Sequence, residues 1–323
     1  MTRILIIGGG GMVGQKLARK LASEGLAGRG SLDVALFDMG FPENSAPGRQ
    51  ITGNIAAIET ARSLAAERFD IIFHLAAIVS GEAETDFDKG WAVNMMSMWH
   101  LLEALRAEHI SSDGSYVPRM VFTSSIAVFG GPYPEKISDT FLSAPQTSYG
   151  AQKATCELML TDFSRKGFVD GLSLRLPTIC VRPGKANLAA SSFFSGIIRE
   201  PLNGQEAILP VPDTVRHWHA SPKSAAGFLT HAATLDTVRL EGRRALNLPG
   251  LSCTVAEQIE ALRSIAGQKV VDRIVSRPDP AIMQIVSGWP RDFQPDRAIA
   301  LGFKAETRFE QIIETYIADD LEA

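Results

Sequence analysis

Tyr149 and Lys153 stand four residues apart in a stretch whose spacing predicts a helix over residues 148–166, so both side chains lie on one face, one turn apart. A phenol, with a pKa of about 10, is too weak a base at neutral pH on its own. A neighbouring ammonium favours the phenolate and brings that pKa down. Such a pair can take the proton of an alcohol. The same spacing also occurs in ordinary helices, with Ser148 near the cap and an exposed lysine, so the pair needs company. Thr123-Ser124-Ser125 supplies it, at the end of a predicted strand, Ser125 lying 24 residues before Tyr149. A hydroxyl at a strand's carboxyl end reaches the crevice where open α/β sheets bind ligands. There it can donate to an oxygen that gains charge during reaction. Ser125 is the expected donor in preference to Ser124.

The N-terminal segment offers a place for a redox partner. Gly8, Gly11 and Gly14 sit three apart in Gly8-Gly9-Gly10-Gly11-Met12-Val13-Gly14, directly after a predicted strand and at the start of a predicted helix. A dinucleotide needs a tight turn there, close approach of backbone to its pyrophosphate, and close packing of helix on strand. The helix start then offers free N–H groups and the positive end of the helix dipole. Glycines in a row also make merely flexible turns, but this run has an acid at the right distance. Asp38 closes the second predicted strand, 24 residues past Gly14. A carboxylate there accepts from ribose hydroxyls and repels a 2′-phosphate. The next residue is Met39 rather than Arg or Lys, so NAD is expected over NADP. With a nicotinamide as hydride acceptor, Tyr149 could remove a hydroxyl proton while a hydride leaves the same carbon.

The elements that must position these groups follow from patterning. Short apolar runs at residues 3–7, 33–38, 70–75, 120–124 and 172–176 read as strands. Between them, residues 12–24, 55–67, 88–108 and 148–166 read as helices, with Val13, Leu17 and Leu21 on one face of the first. Strands alternating with helices imply βαβ units and a Rossmann-type, doubly wound parallel sheet. Strands covered on both faces should be nearly continuous in apolar residues, as these are. After Pro177 the pattern breaks into Pro- and Gly-punctuated stretches with helices at 189–199, 224–235, 255–266 and 309–318. The expected organisation is a dinucleotide-binding domain over residues 1–176 and a smaller α/β substrate lobe over 177–323. That boundary is soft, because the lobe's strands can return to the main sheet.

Composition removes several classes of function. The 323 residues suit one large domain or two intimate ones. Lys plus Arg is 32 and Asp plus Glu is 36, a net charge of −4 that speaks against nucleic acid as the main partner. The content of 45% hydrophobic and 21% charged residues is that of an ordinary globular chain. Cys156, Cys180 and Cys253 are far apart and fit no metal motif, so buried thiols in a reducing compartment are expected. Only Ile4–Ile7 precede the glycines, too short for the core of a signal peptide, and no run of 18 apolar residues occurs. A soluble cytoplasmic protein without a membrane span is the expectation.

The pieces together resemble the extended short-chain dehydrogenase/reductase superfamily, the epimerase/dehydratase group. The resemblance rests on the glycine run, Asp38, Gly53-Asn54-Ile55, His74-Leu75-Ala76-Ala77, Val93-Asn94, Thr123-Ser124-Ser125, Tyr149-Gly150-Ala151-Gln152-Lys153 and Leu174-Arg175-Leu176-Pro177-Thr178. It implies NAD bound along Gly8, Gly11, Met12, Val13, Gly14 and Asp38. Asn54 and Ile55 would flank the adenine, although the family usually has Asp at position 54. Leu75, Ala76, Ala77 and Ser80 would line the ribose and pyrophosphate. Asn94 would support a proton relay, Lys153 would hold the nicotinamide ribose, and Pro177 and Thr178 would contact the nicotinamide amide. Ser125, Tyr149 and Lys153 would be catalytic. Val128-Phe129-Gly130 matches the segment after the family's catalytic serine, with Phe129 where Tyr is usual.

Dehydratases of the group carry Asp-Glu after that serine. Ile126 and Ala127 stand there instead, which disfavours elimination of water. Epimerases carry acids after the arginine that Arg216 matches, and His217, Trp218 and His219 follow here instead. Arg216, His217, His219 and Arg182 would suit a small carboxylate, since arginine offers a fork of donors that matches one. Both histidines also suit a strand edge, and no third ligand suggests a metal. Ser80 and Ser125 are further substrate candidates. Residues 74–94 and 174–187 are similar to the sugar-acid branch of the group, which implies oxidation of the C2 hydroxyl of a four-carbon acid, D-erythronate, to a 2-oxo acid. The alternatives are a nucleotide-sugar epimerase with tightly bound NAD, and a non-catalytic NAD sensor that would not need Ser125, Tyr149 and Lys153. Trp99, Leu102, Leu105 and Met159 could form a four-helix seam in a homodimer, or simply cover the sheet.

Overall fold

The first strand, β1 (Thr2–Ile7), buries Ile4, Leu5, Ile6 and Ile7 completely. A strand covered on both faces must be apolar throughout, and this one sits in the middle of its sheet. The computed structural model describes residues 1–184 and 190–321. Six further strands join β1: β2 (Leu32–Asp38), β3 (Arg49–Thr52), β4 (Ile71–His74), β5 (Arg119–Ser125), β6 (Asp170–Leu176) and β7 (Ala245–Asn247). All are parallel, in the order β7-β6-β5-β4-β1-β2-β3. The chain steps outward from β1 to β3 and then crosses back to β4 on the other side of β1. That reversal opens a crevice above the carboxyl ends of β1 and β4, where Gly8 and Leu75 lie.

Alternate residues of the strands feed two separate cores. Ile4, Ile6, Phe73, Val121 and Leu174 pack against helices Met12–Glu24 and Pro222–Thr234. Leu5, Ile7, Ile72 and Phe122 pack against helices Ile58–Ala66, Ser97–Ser111 and Ser148–Arg165. Leu102 and Leu105 are fully buried in this second core. They face the sheet, which corrects their assignment to an intersubunit seam. Trp99 on helix Ser97–Ser111 is 40% exposed, and Leu158 on helix Ser148–Arg165 and Met96, just before Ser97, are exposed as well.

Residues 88–108 form no single helix. Phe87–Trp91 is α-helical, Ala92–Met96 is one π turn, and Ser97–Ser111 resumes the α-helix. The bulge turns Asn94 inward, where its Oδ1 accepts the Ile78 N–H at 2.9 Å and its Nδ2 donates to Gln152 Oε1 at 2.8 Å.

A third core, with Phe194, Ile198, Val255, Leu262 and Ile313, joins helices Ser192–Leu202, Val255–Ala266 and Phe309–Asp319. Thr254 starts the second of these with a capping box: the Glu257 N–H donates to Thr254 Oγ1, and the Thr254 N–H to Glu257 Oε2. Strand Arg216–Ala220 pairs antiparallel with Leu251–Thr254 and parallel with Thr178–Ile179, which carries the chain from β6 into this region. β7 then returns to the main sheet beside β6. Residues 185–187 of the segment expected to mark the sugar-acid branch lie outside the described residues. The three cysteines are buried free thiols. No described helix is long and apolar enough to cross a membrane.

Candidate active site

The glycine turn is shaped by backbone contacts that a side chain would break. Gly8 has φ +91°, and a Cβ on it would lie 2.6 Å from the Ala76 nitrogen. A Cβ on Gly14 would collide with the Gly8 carbonyl. Helix Met12–Glu24 therefore opens close against β1, with no side-chain cap and no acid in its first turn. Its free N–H groups suit an anion. Asp38 supports the turn: Oδ2 accepts the Gly10 N–H at 2.9 Å and Oδ1 the Met39 N–H at 2.7 Å. Gln15, buried and unremarked in the sequence, ties the turn from below by donating to the Gly9 carbonyl and accepting from the Ala46 N–H, each at 2.7 Å. An uncapped helix start, a glycine turn without room for side chains and an adjacent carboxylate fit a dinucleotide's pyrophosphate and ribose.

A cavity of about 480 Å³ runs from this turn across the sheet's carboxyl edge. It is lined by Gly8, Gly11, Met12, Val13, Gly14, Leu75, Ala77, Ser80, Ser125, Tyr149, Lys153, Pro177, Thr178 and Arg182, all expected from the sequence. Of the other expected residues, Ala76 packs behind Gly8. Asn54 is exposed and Ile55 buried, beyond the end of β3. Asn94 lies behind the wall, bonded to the Ile78 backbone.

Ser124 and Ser125 both border the cavity, but their hydroxyls take different partners because successive strand residues face opposite sides. Ser124 is buried and donates to Glu157 Oε1 at 2.5 Å. Glu157 in turn holds Arg175 through Oε2 at 2.7 Å. Ser125 faces the cavity, its Oγ accepting the Ala127 N–H at 3.1 Å. Helix Ser148–Arg165 is capped by Thr147, whose Oγ1 accepts the Gly150 N–H at 3.1 Å. Gly150 lets the helix start press onto the turn after Ser125, since a Cβ there would strike the Ala127 carbonyl. Tyr149 thus meets Ser125.

Burial pushes the Tyr149 phenol up to about 12, opposed by the positive charge of Arg182 and by a hydrogen bond with Ser125. Arg182, which the sequence reading does not place beside the phenol, thus contributes a positive charge there. Lys153 lies deeper. Its ammonium is 5.7 Å from the centre of the Tyr149 ring, donates to the Thr123 carbonyl at 2.9 Å and sits 4.6 Å over the Phe122 ring.

Burial lowers Lys153 from its ordinary 10.5 to about 8, with Cys156 and Glu157 opposing. Between those two values the unfolded chain holds a proton that the folded chain has shed, so stability rises with pH across that window. Below pH 8 both states are protonated, and the folded state bears the full cost of a buried ammonium. Lys153→Met removes that cost. Its urea midpoint at pH 7 is expected above the wild-type value, and the gap should close as pH approaches 10.5. A variant less stable than wild type at pH 7 would contradict the burial cost.

The opposite wall comes from beyond β6. Arg182 Nε donates to the Ile179 carbonyl at 3.0 Å. Arg199, which also lines the cavity, donates through Nη1 to the Arg182 carbonyl at 2.7 Å and pairs with Glu200 at 2.5 Å. His217 lines the cavity between Thr178 and Pro290, 2.7 Å from Thr178 Oγ1 and 2.9 Å from the Pro290 carbonyl. Two expectations are corrected here. Arg216 turns away from the cavity to the Ser252 carbonyl at 3.1 Å and to Glu257 at 3.1 Å. His219 is fully buried between Phe194 and Phe309, with Nε2 3.0 Å from the Gln258 amide nitrogen. Arg199, Thr147, Ser191, Ser192 and Trp289 line the cavity without having been singled out in the sequence. Among the described residues no group of three or more His, Cys, Asp or Glu could hold a metal.

A family model described as the NAD dependent epimerase/dehydratase family matches residues 4–231. The chain is 44% identical to a D-erythronate dehydrogenase of Cupriavidus necator, over 98% of each chain. It is 40% identical to a D-erythronate dehydrogenase of Haemophilus influenzae, over 99% of this chain and 100% of that one. A solved structure described as the nucleoside-diphosphate-sugar epimerase from Agrobacterium tumefaciens superposes with a TM-score of 0.94 at 53% identity, covering 98% of this chain and 94% of that one.

Proposed function

The chain belongs to the NAD dependent epimerase/dehydratase family, and on that premise we propose that it is an NAD-linked dehydrogenase oxidising a secondary hydroxyl of a small sugar acid, D-erythronate to its 2-oxo acid. The observation that carries this reading is one cavity joining the glycine turn, the Ser125–Tyr149–Lys153 group and Arg182. The two D-erythronate dehydrogenases similar to it along nearly their whole length support the substrate.

Bound NAD supplies the hydride acceptor. The N–H groups at the start of helix Met12–Glu24 would hold its pyrophosphate, and Asp38 would accept from the adenosine ribose hydroxyls. Tyr149 takes the substrate's hydroxyl proton. Ser125 donates to the same oxygen and holds it in place. Lys153 has two N–H donors beyond the one on Thr123, and these would be the ones to hold the nicotinamide ribose. Arg182 pairs with the substrate carboxylate, and Ser80 lies on the same cavity surface to meet a chain hydroxyl.

Purified protein given NAD and D-erythronate should accumulate reduced cofactor, read by its absorbance. No accumulation with any four- to six-carbon aldonate would sink the reading. A nucleotide-sugar epimerase is the second reading, favoured by the description of the Agrobacterium structure. Epimerisation returns the hydride within one turnover, so the same assay separates the two. Arg182→Met is expected to lower kcat/KM for the acid at least about thirtyfold, because the loss of a partner from a desolvated charge pair costs about 2 kcal/mol or more. Its NAD affinity should stay near the wild-type value, and an unchanged kcat/KM would remove Arg182 from the substrate's path.

A homodimer is part of the proposal. Met96 at the end of the π turn, Trp99 on helix Ser97–Ser111 and Leu158 on helix Ser148–Arg165 leave apolar surface that a second copy would cover. Sedimentation as a monomer would refute it.

A further inference from the structure

We propose that His217 is a positioning residue that makes the Thr178 hydroxyl an acceptor-only group for the NH2 of the nicotinamide carboxamide. The inference rests on the NAD-binding part of the reading above.

The argument starts from the imidazole's two neighbours. Nδ1 is 2.9 Å from the Pro290 carbonyl, which can only accept, so Nδ1 carries the hydrogen. The ring is fully enclosed, stacked on Phe194 at 5.3 Å and 4° and tilted against Trp289 at 5.2 Å. Burial lowers its pKa to about 4, so it is neutral at physiological pH and Nε2 is a bare lone pair. Thr178 Oγ1 is 2.7 Å from Nε2 and must be the donor of that bond. A hydroxyl has one hydrogen, and here it is spent on the histidine. What Thr178 presents to the cavity is therefore lone pairs alone.

The strand register says what meets them. Leu176 pairs abreast of Ser125, so Pro177 and Thr178 continue along the cavity wall just past the hydroxyl that faces Tyr149. In the proposed pose, a nicotinamide that offers its reactive carbon beside Tyr149 would have its carboxamide against that wall. Of the carboxamide's two ends, only the NH2 can pair with an acceptor. The histidine thereby selects one of the two carboxamide orientations. It also fastens the Gly288–Pro290 segment to the wall, since Pro290 holds the other nitrogen.

Calorimetric titration of the full chain with NAD and with 3-acetylpyridine adenine dinucleotide tests this directly. The analogue carries a methyl group in place of the NH2 and keeps the carbonyl. Wild-type protein should bind NAD about tenfold more tightly or better, because the analogue leaves the Thr178 acceptor unpaired against a methyl or facing another acceptor. His217→Phe keeps the ring stacking and frees the Thr178 hydroxyl to donate to the analogue's carbonyl. The preference should then fall to within about threefold. Thr178→Val should abolish the preference by a different route, through weaker NAD binding, and it carries the test if His217→Phe does not fold. A purely structural role for His217 would weaken both dinucleotides alike and leave their ratio unchanged. An unchanged ratio in His217→Phe, or a wild-type ratio near one, overturns the inference. NAD binding without oxidation of any aldonate overturns the substrate reading only, and no NAD binding at all overturns both.

Discussion

Tyr149→Phe is expected to lower kcat/KM for the hydroxy acid by about 10²–10⁴-fold while dinucleotide affinity stays within about twofold of wild type. The substitution removes one oxygen and leaves the ring, which helps wall the cavity, in place. Lys153 keeps its bond to the Thr123 carbonyl, since that bond does not involve the phenol. The proton acceptor is then missing and the binding surface is not. The pH profile gives a second readout. Burial holds the phenol near 12 in the unliganded protein, so the phenolate fraction, and with it the wild-type rate, should rise with pH. Residual turnover of the variant should be flat over the same range. Steady-state kinetics paired with calorimetry measure both effects, and turnover within threefold of wild type would remove Tyr149 from the chemistry.

Glu157→Ala should cost about 3–5 kcal/mol of folding stability, the range for removing one partner of a buried ion pair. Glu157 is 4% exposed, and it accepts from Arg175 Nε at 2.9 Å, from Arg175 Nη2 at 2.7 Å and from Ser124 at 2.5 Å. Without it the Arg175 guanidinium keeps, among the described residues, Asn247 and the face of Phe129, 4.9 Å away. A Glu157→Met, Arg175→Met double variant should recover much of the loss, because apolar replacement of a buried pair is often neutral. Urea unfolding with an unchanged slope reads both variants. A single variant within about 1 kcal/mol of wild type would show that the pair is already well solvated.

The buried centre of the sheet was legible because its strands obey a local rule. Ile4–Ile7 is an unbroken apolar run, as a strand covered on both faces requires. β3 escaped because the edge strand Arg49–Thr52 is largely exposed and carries no such run. The π turn at Asn94 escaped for another reason: it is tied down by Ile78 and Gln152, 16 and 58 residues away in sequence, and helical periodicity says nothing of such ties. At the candidate site, residue type was informative and direction was not. Thr178, Arg182 and His217 line the cavity, whereas Arg216 points elsewhere. A signal for that was present. Arg216–Ala220 is a strand, and period two puts Arg216 and His217 on opposite faces. Arg199 had no comparable signal, because its place depends on how helix Ser192–Leu202 docks.

The late return of β7 bears on how this enzyme could be rebuilt from parts. The parallel partner of β6 comes from residues 245–247, and helix Pro222–Thr234 covers the same sheet. A protein cut after β6 would leave a bare strand edge and an uncovered apolar layer, an invitation to aggregate. Exchanging substrate specificity with a relative therefore cannot be done by one crossover. The graft has to be threaded as separate inserts, with the stretch from Pro222 through Asn247 kept from the parent that supplies the nucleotide-binding sheet.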